Sequence, residues 1–332
     1  MKLKFKASFA ALGAMAVILT GCSTATPAST TDTSDGGITI GVSFEHLNEI
    51  RSAELAGIKD AAKKNGDKVV FVSADDDAQK QASQIQDLIQ TQKVDALIVI
   101  AFNKDQITSS IALAKANNVP FLTIDRATTD QENISFQITG DPVADGKLVA
   151  EQMIAADKDL KVLQLIGGLT DQNAVGRRDG FVAGLKGQTA VSIVADVPTD
   201  WDPTKALDGT SNALEKNPDI NAIYVPSDYL LPSVLSALDA AGKLKPVGDP
   251  DHVFIVTIDG DPVGCQALAD KTIDADIATL VGDFGTQAVE AARALSAGET
   301  VDPHIVEIAG LAINQGNFSD EKANVWGCAD VK

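Results

Sequence analysis

From Ile38 onward the chain alternates short apolar runs with longer amphipathic ones. ITIGVSF, KVVFVSADDD, ALIVIAFN and PFLTIDR are rich in β-branched and aliphatic residues and read as strands. Between them SAELAGIKDAAKKNG, QASQIQDLIQTQ and ITSSIALAKANN read as helices. In the second of these Ile85, Leu88 and Ile89 share one face, and the first stops at Gly66. After Gly140 the cycle repeats. DGKLVAEQMIAA, RRDGFVAGLKG, KALDGTSNALEKN, LPSVLSALDAAGK, DPVGCQALADK and FGTQAVEAARALSAG read as helices; KVLQLIGG, VSIVADVPTDW, NAIYVPSD, HVFIVTIDG and DADIATLVGD read as strands. Strands without clean alternation, separated by helices of about 10 to 15 residues, predict parallel sheets covered on both faces. The run is too long for one sheet and its halves look alike. The expected fold class is therefore α/β: two doubly wound, Rossmann-like lobes with a break near Thr139–Asp141.

The length of 332 residues suits two domains. Hydrophobic residues make up 45% and aromatics only 5%, so the cores must be mainly aliphatic. A formal charge of −19 argues against nucleic acid as a partner, because phosphate binding needs clustered Lys and Arg. The N-terminus changes the picture more. Lys2, Lys4 and Lys6 precede an apolar run from about Phe9 to Leu19, too short to span a bilayer comfortably. This is the pattern of a secretory signal over residues 1–21. Leu19-Thr20-Gly21-Cys22 resembles the bacterial lipobox, which makes Cys22 the expected lipidated first residue of a membrane-anchored, extracytoplasmic protein. Residues 22–37 are Ser/Thr-rich without apolar periodicity and read as a flexible tether.

With Cys22 taken by lipid, Cys265 and Cys328 remain. An even pair in an exported protein points to a disulfide; two buried free thiols are the other reading. His46, His252 and His304 are far apart in sequence, and no His or Cys lies at metal-ligand spacing. Neither a metal nor a cofactor is expected.

In a doubly wound sheet ligands bind beyond the carboxyl ends of the strands. The residues there are Ser43 to Arg51, Asp75 to Asp77, Phe102 with Asn103, Asp125 with Arg126, Asp171 to Arg178, Asp200 to Asp202 around Trp201, Ser227 with Asp228, and Asp259. Carboxylates, amides and guanidiniums each make several directed hydrogen bonds, and Trp adds a flat apolar face. Such a set suits a neutral polyol with CH faces, that is, a sugar. A phosphate site would want a Gly-rich loop feeding a helix N-terminus, of which GVSFEH and GGLTDQ are poor versions.

From about Ile38 to the C-terminus the chain resembles the periplasmic sugar-binding proteins of ABC transporters, of the ribose, xylose and galactose type. VPFLTIDR is similar to the family strand that ends in Asp-Arg, so the resemblance implies that Asp125 accepts from sugar hydroxyls while Arg126 donates, each orienting the other. VIAFN implicates Asn103, and GLTDQNAVGRRDGF implicates Asn173 and Arg177. DWDP matches an aromatic-Asp turn that stacks on the ring, implicating Trp201 and Asp202. VPSDYLLPSVLSAL places Ser227 where the family usually has Asn, and VTIDGDP gives Asp259 a ligand role. The first loop, SFEHLNEIRSAE, lacks the family's Trp and leaves Glu45, His46, Asn48 and Arg51 as candidates. Thr279 stands where some relatives have Gln or Lys.

The resemblance further implies an N-terminal lobe of residues 38–140 plus about 280–303, and a C-terminal lobe of 141–279 plus about 304–332. A multi-strand hinge would join them, with the ligand in the cleft. The implied role is capture of a monosaccharide, pentose or hexose, and its delivery to ABC permease subunits by a monomer. Presentation of the sugar to a chemoreceptor or signalling kinase is the alternative. A lactose-type repressor would need a helix-turn-helix where the signal and tether stand. A hydrolase would need a His base at a strand end and a Gly-x-Ser-x-Gly elbow, and the elbow is absent.

Overall fold

The computed structural model describes residues 4–6, 36–169 and 171–331. The signal-peptide and Cys22 readings, and the tether up to Asp35, lie outside the described residues apart from Lys4–Lys6. Those three residues pair antiparallel with Thr300–Asp302. Among the described residues the chain forms two compact units. One comprises the described residues up to 51, with 55–137 and 285–306, and the other 52–54, the described residues of 138–284, and 307–331.

The first unit is built on a six-stranded sheet. Its order is Ile305–Ile308, Phe136–Gly140, Phe121–Asp125, Ala96–Val99, Thr39–Phe44, Lys68–Ser73. Thr39–Phe44 runs parallel to both of its neighbours, and Ala96–Val99 runs parallel to Phe121–Asp125. Ala96–Val99 is buried throughout, the signature of a strand covered on both faces. Helix Ala78–Gln90 supplies Ile85, Leu88 and Ile89 to a core with Leu97, Val99, Ile111 and Phe121. The chain leaves this unit within Phe136–Gly140 and again within Ile305–Ile308.

The second unit also has six strands, in the order Leu311–Asn314, Ala275–Ala278, Phe254–Asp259, Ala222–Tyr224, Leu160–Ile166, Val191–Pro198. All neighbours are parallel except Leu311–Asn314, which pairs antiparallel with Ala275–Ala278. Helices Pro142–Ala155 and Gln172–Gly184 approach very closely. A Cβ on Gly180 would lie 2.1 Å from the Val143 carbonyl oxygen, and one on Gly146 at the same distance from that of Arg177. Cys265 and Cys328 are bonded, with their Cα atoms 5.0 Å apart, inside the core that contains Leu268, Ile273 and Val325.

Most predicted strands and helices are found, in parallel sheets as expected. Among the described residues five short strands, Lys4–Lys6, Phe136–Gly140, Thr300–Asp302, Ile305–Ile308 and Leu311–Asn314, are additions to the sequence reading. Among the described residues no helix is long and apolar enough to cross a membrane.

Candidate functional site

In the first unit, parallel strands bring three chain segments to one edge of the sheet. Thr39–Phe44 ends at Glu45, Ala96–Val99 leads to Phe102 and Asn103, and Phe121–Asp125 ends at Asp125 and Arg126. Arg51 enters on the first turn of helix Glu49–Lys64, which Asn48 caps by accepting the Arg51 backbone N–H. Its guanidinium is buried. Nε donates to Glu45 Oε1 at 2.9 Å and Nη2 to Asp125 Oδ2 at 2.8 Å.

Arg126 is different. Its side chain is 45% exposed and its nearest acid is Glu45, at 3.6 Å. The carboxylate of Asp125 is therefore oriented by Arg51, and not by Arg126 as expected. The reason is the backbone. Asp125 has φ of 60°, and the Arg126 N–H turns back to the Ile124 carbonyl, so successive side chains diverge at the strand end. Glu45, fully buried between two arginines, is the residue whose role the sequence left open. Phe44 is core, edge-on to Phe71, whereas Phe102 is 40% exposed. The Asn103 side-chain oxygen accepts from the Asp105 and Gln106 backbone N–H groups, a turn that leaves its amide nitrogen to donate elsewhere. Asp75 is tied to Lys80 and Ser73 in an exposed loop.

In the second unit the strand ends converge on Asp259. Arg177 Nη2 donates to Asp259 Oδ1 at 2.8 Å, and Ser227 Oγ donates to Asp259 Oδ2 at 2.5 Å. Arg177 Nη1 also donates to the Pro226 carbonyl at 2.8 Å. Burial works against the Arg177 charge, but Asp259 and Asp145 outweigh it and hold the guanidinium protonated. Asp145 itself is pushed up to about 6 by burial, opposed by Arg177 and by the Gly310 N–H that it accepts at 2.7 Å. The hydroxyl of Ser227, where Asn is usual in the resembling family, thus serves Asp259. The Asp259 carbonyl accepts the Thr279 N–H at 3.0 Å and the Trp326 indole N–H at 3.2 Å.

Trp201 lies against Gly167 and Gly168. A Cβ on Gly167 would come within 2.2 Å of the ring, so the glycine permits this seat. The indole N–H donates to Asp171 Oδ2 at 2.9 Å. Asp171 also caps helix Gln172–Gly184, whose first turn carries an exposed Asn173. Asp202 caps the helix that follows Trp201. Asp228, counted among the strand-end residues, is instead fully buried. Among the described residues no group of His, Cys, Asp and Glu is placed to hold a metal ion.

Residues 40–300 match the model of the periplasmic binding protein domain. The ribose import binding protein of Bacillus subtilis is 30% identical over 295 residues, covering 87% of this chain and 92% of its own. The ribose import binding protein of Escherichia coli is 30% identical over 261 residues, 77% of this chain and 84% of its own. An ABC transporter solute-binding protein of Mycobacterium smegmatis, solved with bound glycerol, superposes with a TM-score of 0.71 at 25% identity, over 86% of this chain and 96% of that one. A solute-binding protein of Actinobacillus succinogenes with bound D-allose gives 0.75 at 19% identity, over 85% and 99%, and shares the fold. The chain belongs to the periplasmic binding protein family, whose members here are binding proteins of transporters and not enzymes.

Proposed function

We propose that the chain is the extracytoplasmic sugar-binding component of an ABC importer, anchored through a lipid on Cys22, which captures a monosaccharide and hands it to the permease subunits. The observation that carries this reading is the pair of charge clusters at strand carboxyl ends, one in each unit: Arg51–Asp125–Glu45 and Arg177–Asp259–Ser227. With Arg126 beside Glu45 the first cluster balances in charge, as the second does, and both are rich in donors and acceptors, which fits a neutral polyol. Charge-assisted hydrogen bonds are about twice as strong as neutral ones, which suits a ligand that offers only hydroxyls.

On this reading Asp125, Arg126 and Asn103 contact the sugar from the first lobe, and Arg51 orients Asp125. Asn173, Arg177, Asp259 and Thr279 contact it from the second lobe, with Ser227 setting Asp259 and Trp201 offering its ring. The lobes are those drawn from the sequence, 38–140 with about 280–303 and 141–279 with about 304–332, closing on the sugar as a monomer. The names of the relatives support a ribose-like or related small polyol. The test is a thermal-shift screen against monosaccharides and polyols. A true ligand at 100 times its Kd stabilises the fold by roughly 2.7 kcal/mol, and a panel without any shift contradicts the reading.

A further inference from the structure

Beneath the turn that carries Asp259 lie two fully buried acids, Asp228 and Asp276. Asp276 sits on strand Ala275–Ala278 directly opposite Thr257 of the neighbouring parallel strand, so both side chains point to one face. The Thr257 hydroxyl donates to Asp228 Oδ1 at 2.7 Å. Asp228 Oδ2 accepts the Asp261 N–H at 2.8 Å, and Asp276 Oδ1 accepts the Gly260 N–H at 3.2 Å. The two carboxyls therefore grip consecutive amides of a single turn. Two glycines make this possible. Gly260 has φ of 67°, and a Cβ there would meet Ala278 Cβ at 2.6 Å; a Cβ on Gly264 would meet the Asp228 carboxylate at 2.4 Å.

As two carboxylates the pair makes no chemical sense. The charged groups that face it are Asp276 or Asp228 in turn, and Asp259 and Asp261, all acids. The nearest guanidinium in this network, Arg177, is spent on Asp259 and Pro226. Asp276 Oδ2 is buried without a partner when both groups are ionised. A single proton between the two carboxyls lets them hydrogen-bond to each other and removes one of two adjacent buried charges. Burial, the largest cause, supports this by pushing both carboxyls up, and Asp259 and Asp261 add to it, while the hydrogen bond with Asp228 acts the other way on Asp276.

We propose that Asp228 and Asp276 share one proton and act as positioning residues, fixing through the Gly260 and Asp261 amides the turn that presents Asp259 to the sugar. The proposal rests on the sugar-site reading of Asp259. The sign follows from the carboxyls being raised in the folded state. The proton is held from the ordinary carboxylate range into the raised range of the pair, and the contribution of the pair is lost as pH rises through that range. A second buried charge then develops beside Asp259 and the turn loosens. No cation or cofactor is needed for this, only water to take the proton.

The experiment contains no sugar, so its outcome stands apart from that of the sugar reading. The full chain is labelled with 13C at aspartate carboxyls and 15N at tryptophan and glycine, and followed by NMR from pH 5 to 10. The shared proton predicts that the Asp228 and Asp276 carboxyl resonances titrate together above neutral pH. It predicts that the Gly260 amide and the Trp326 indole N–H, which bonds the Asp259 carbonyl, shift with the same midpoint. In Asp276→Asn the amide donates to Asp228 in place of the proton. The Trp326 and Gly260 resonances should then stay where wild type has them at pH 6 and move no further up to pH 9. Asp228→Asn provides the mirror test should Asp276→Asn not fold. Ionisation of both wild-type carboxyls below pH 5 overturns the proposal, and so does an alkaline shift of Trp326 that persists in either folded variant.

Discussion

Arg177 Nη2 stands 2.8 Å from Asp259 Oδ1, with only 11% and 18% of the two side chains exposed. Neither charge would survive there without the other, because desolvation of an unpaired ion costs several kcal/mol. Arg177→Ala strands Asp259 beside Asp145 and leaves the Pro226 carbonyl without its donor. The expected loss is about 3 to 5 kcal/mol in urea unfolding. Arg177→Lys should recover only part, since a single ammonium cannot serve both acceptors in the geometry of the planar fork. A loss below about 0.5 kcal/mol in Arg177→Ala contradicts a buried, mutually dependent pair.

A pH dependence follows from His252. Its Nδ1 lies 2.7 Å from the Lys245 carbonyl and its Nε2 lies 2.8 Å from Asp274 Oδ2. Both partners are acceptors, so only the doubly protonated ring satisfies both. Burial and Lys158 favour the neutral ring, but Asp274 and the Lys245 carbonyl outweigh them and raise the pKa. A raised folded-state value means stability that is complete below the unfolded pKa and lost as pH rises through the folded one. The stability difference between wild type and His252→Gln should therefore shrink between pH 6 and pH 9. A constant or growing difference would show that the ring is neutral throughout.

The helices and the buried parallel strands follow from periodicity, because a strand such as Ala96–Val99 is apolar on both faces and its flanking helices carry one apolar stripe each. Phe136–Gly140, Ile305–Ile308 and Leu311–Asn314 escape that reading. They are four or five residues long, and Leu311–Asn314 takes its place from an antiparallel partner far off in sequence, not from a following helix. The strand-end residues could be found by position, but their pairing could not. Asp125 meets Arg51 because Thr39–Phe44 and Phe121–Asp125, on either side of Ala96–Val99, finish at the same edge of one sheet and because Asp125 adopts a left-handed backbone, and neither fact is local. Glu45 had one usable signal, an acid immediately after an apolar strand and ahead of a helix carrying Arg51. Nothing in the sequence told Asp228 apart from its exposed counterparts.

The Cys265–Cys328 bond is expected in the exported protein. It closes a loop of 63 residues in sequence separation and, in the chain-entropy model, stabilises by about 4 kcal/mol. Both cysteines lie in the second unit. Alkylation without reductant followed by intact-mass measurement should find neither sulfur modified. Two alkylated thiols on the folded protein would refute the bond.

The lipid anchor rests on Leu19-Thr20-Gly21-Cys22 after the apolar run. Cell fractionation should place the wild type with the membrane and release Cys22→Ala into the soluble extracytoplasmic fraction, or leave it as uncleaved precursor of higher mass. Equal membrane retention at the mature mass speaks against lipidation.

The measurement closest to the central claim is calorimetric titration of the sugar that scores in the thermal screen into wild type, Arg126→Ala and Trp201→Ala, with folding confirmed by melts. One site per chain is predicted in the wild type. Arg126→Ala should lose about 2 to 5 kcal/mol, as for a charged partner removed from a desolvated contact. Trp201→Ala should lose about 1 to 3 kcal/mol, because an apolar face is lost but no charge is stranded. Weakened binding in both folded variants, one substituted in each unit, is the result the two-lobe site predicts; wild-type affinity in either folded variant would contradict it.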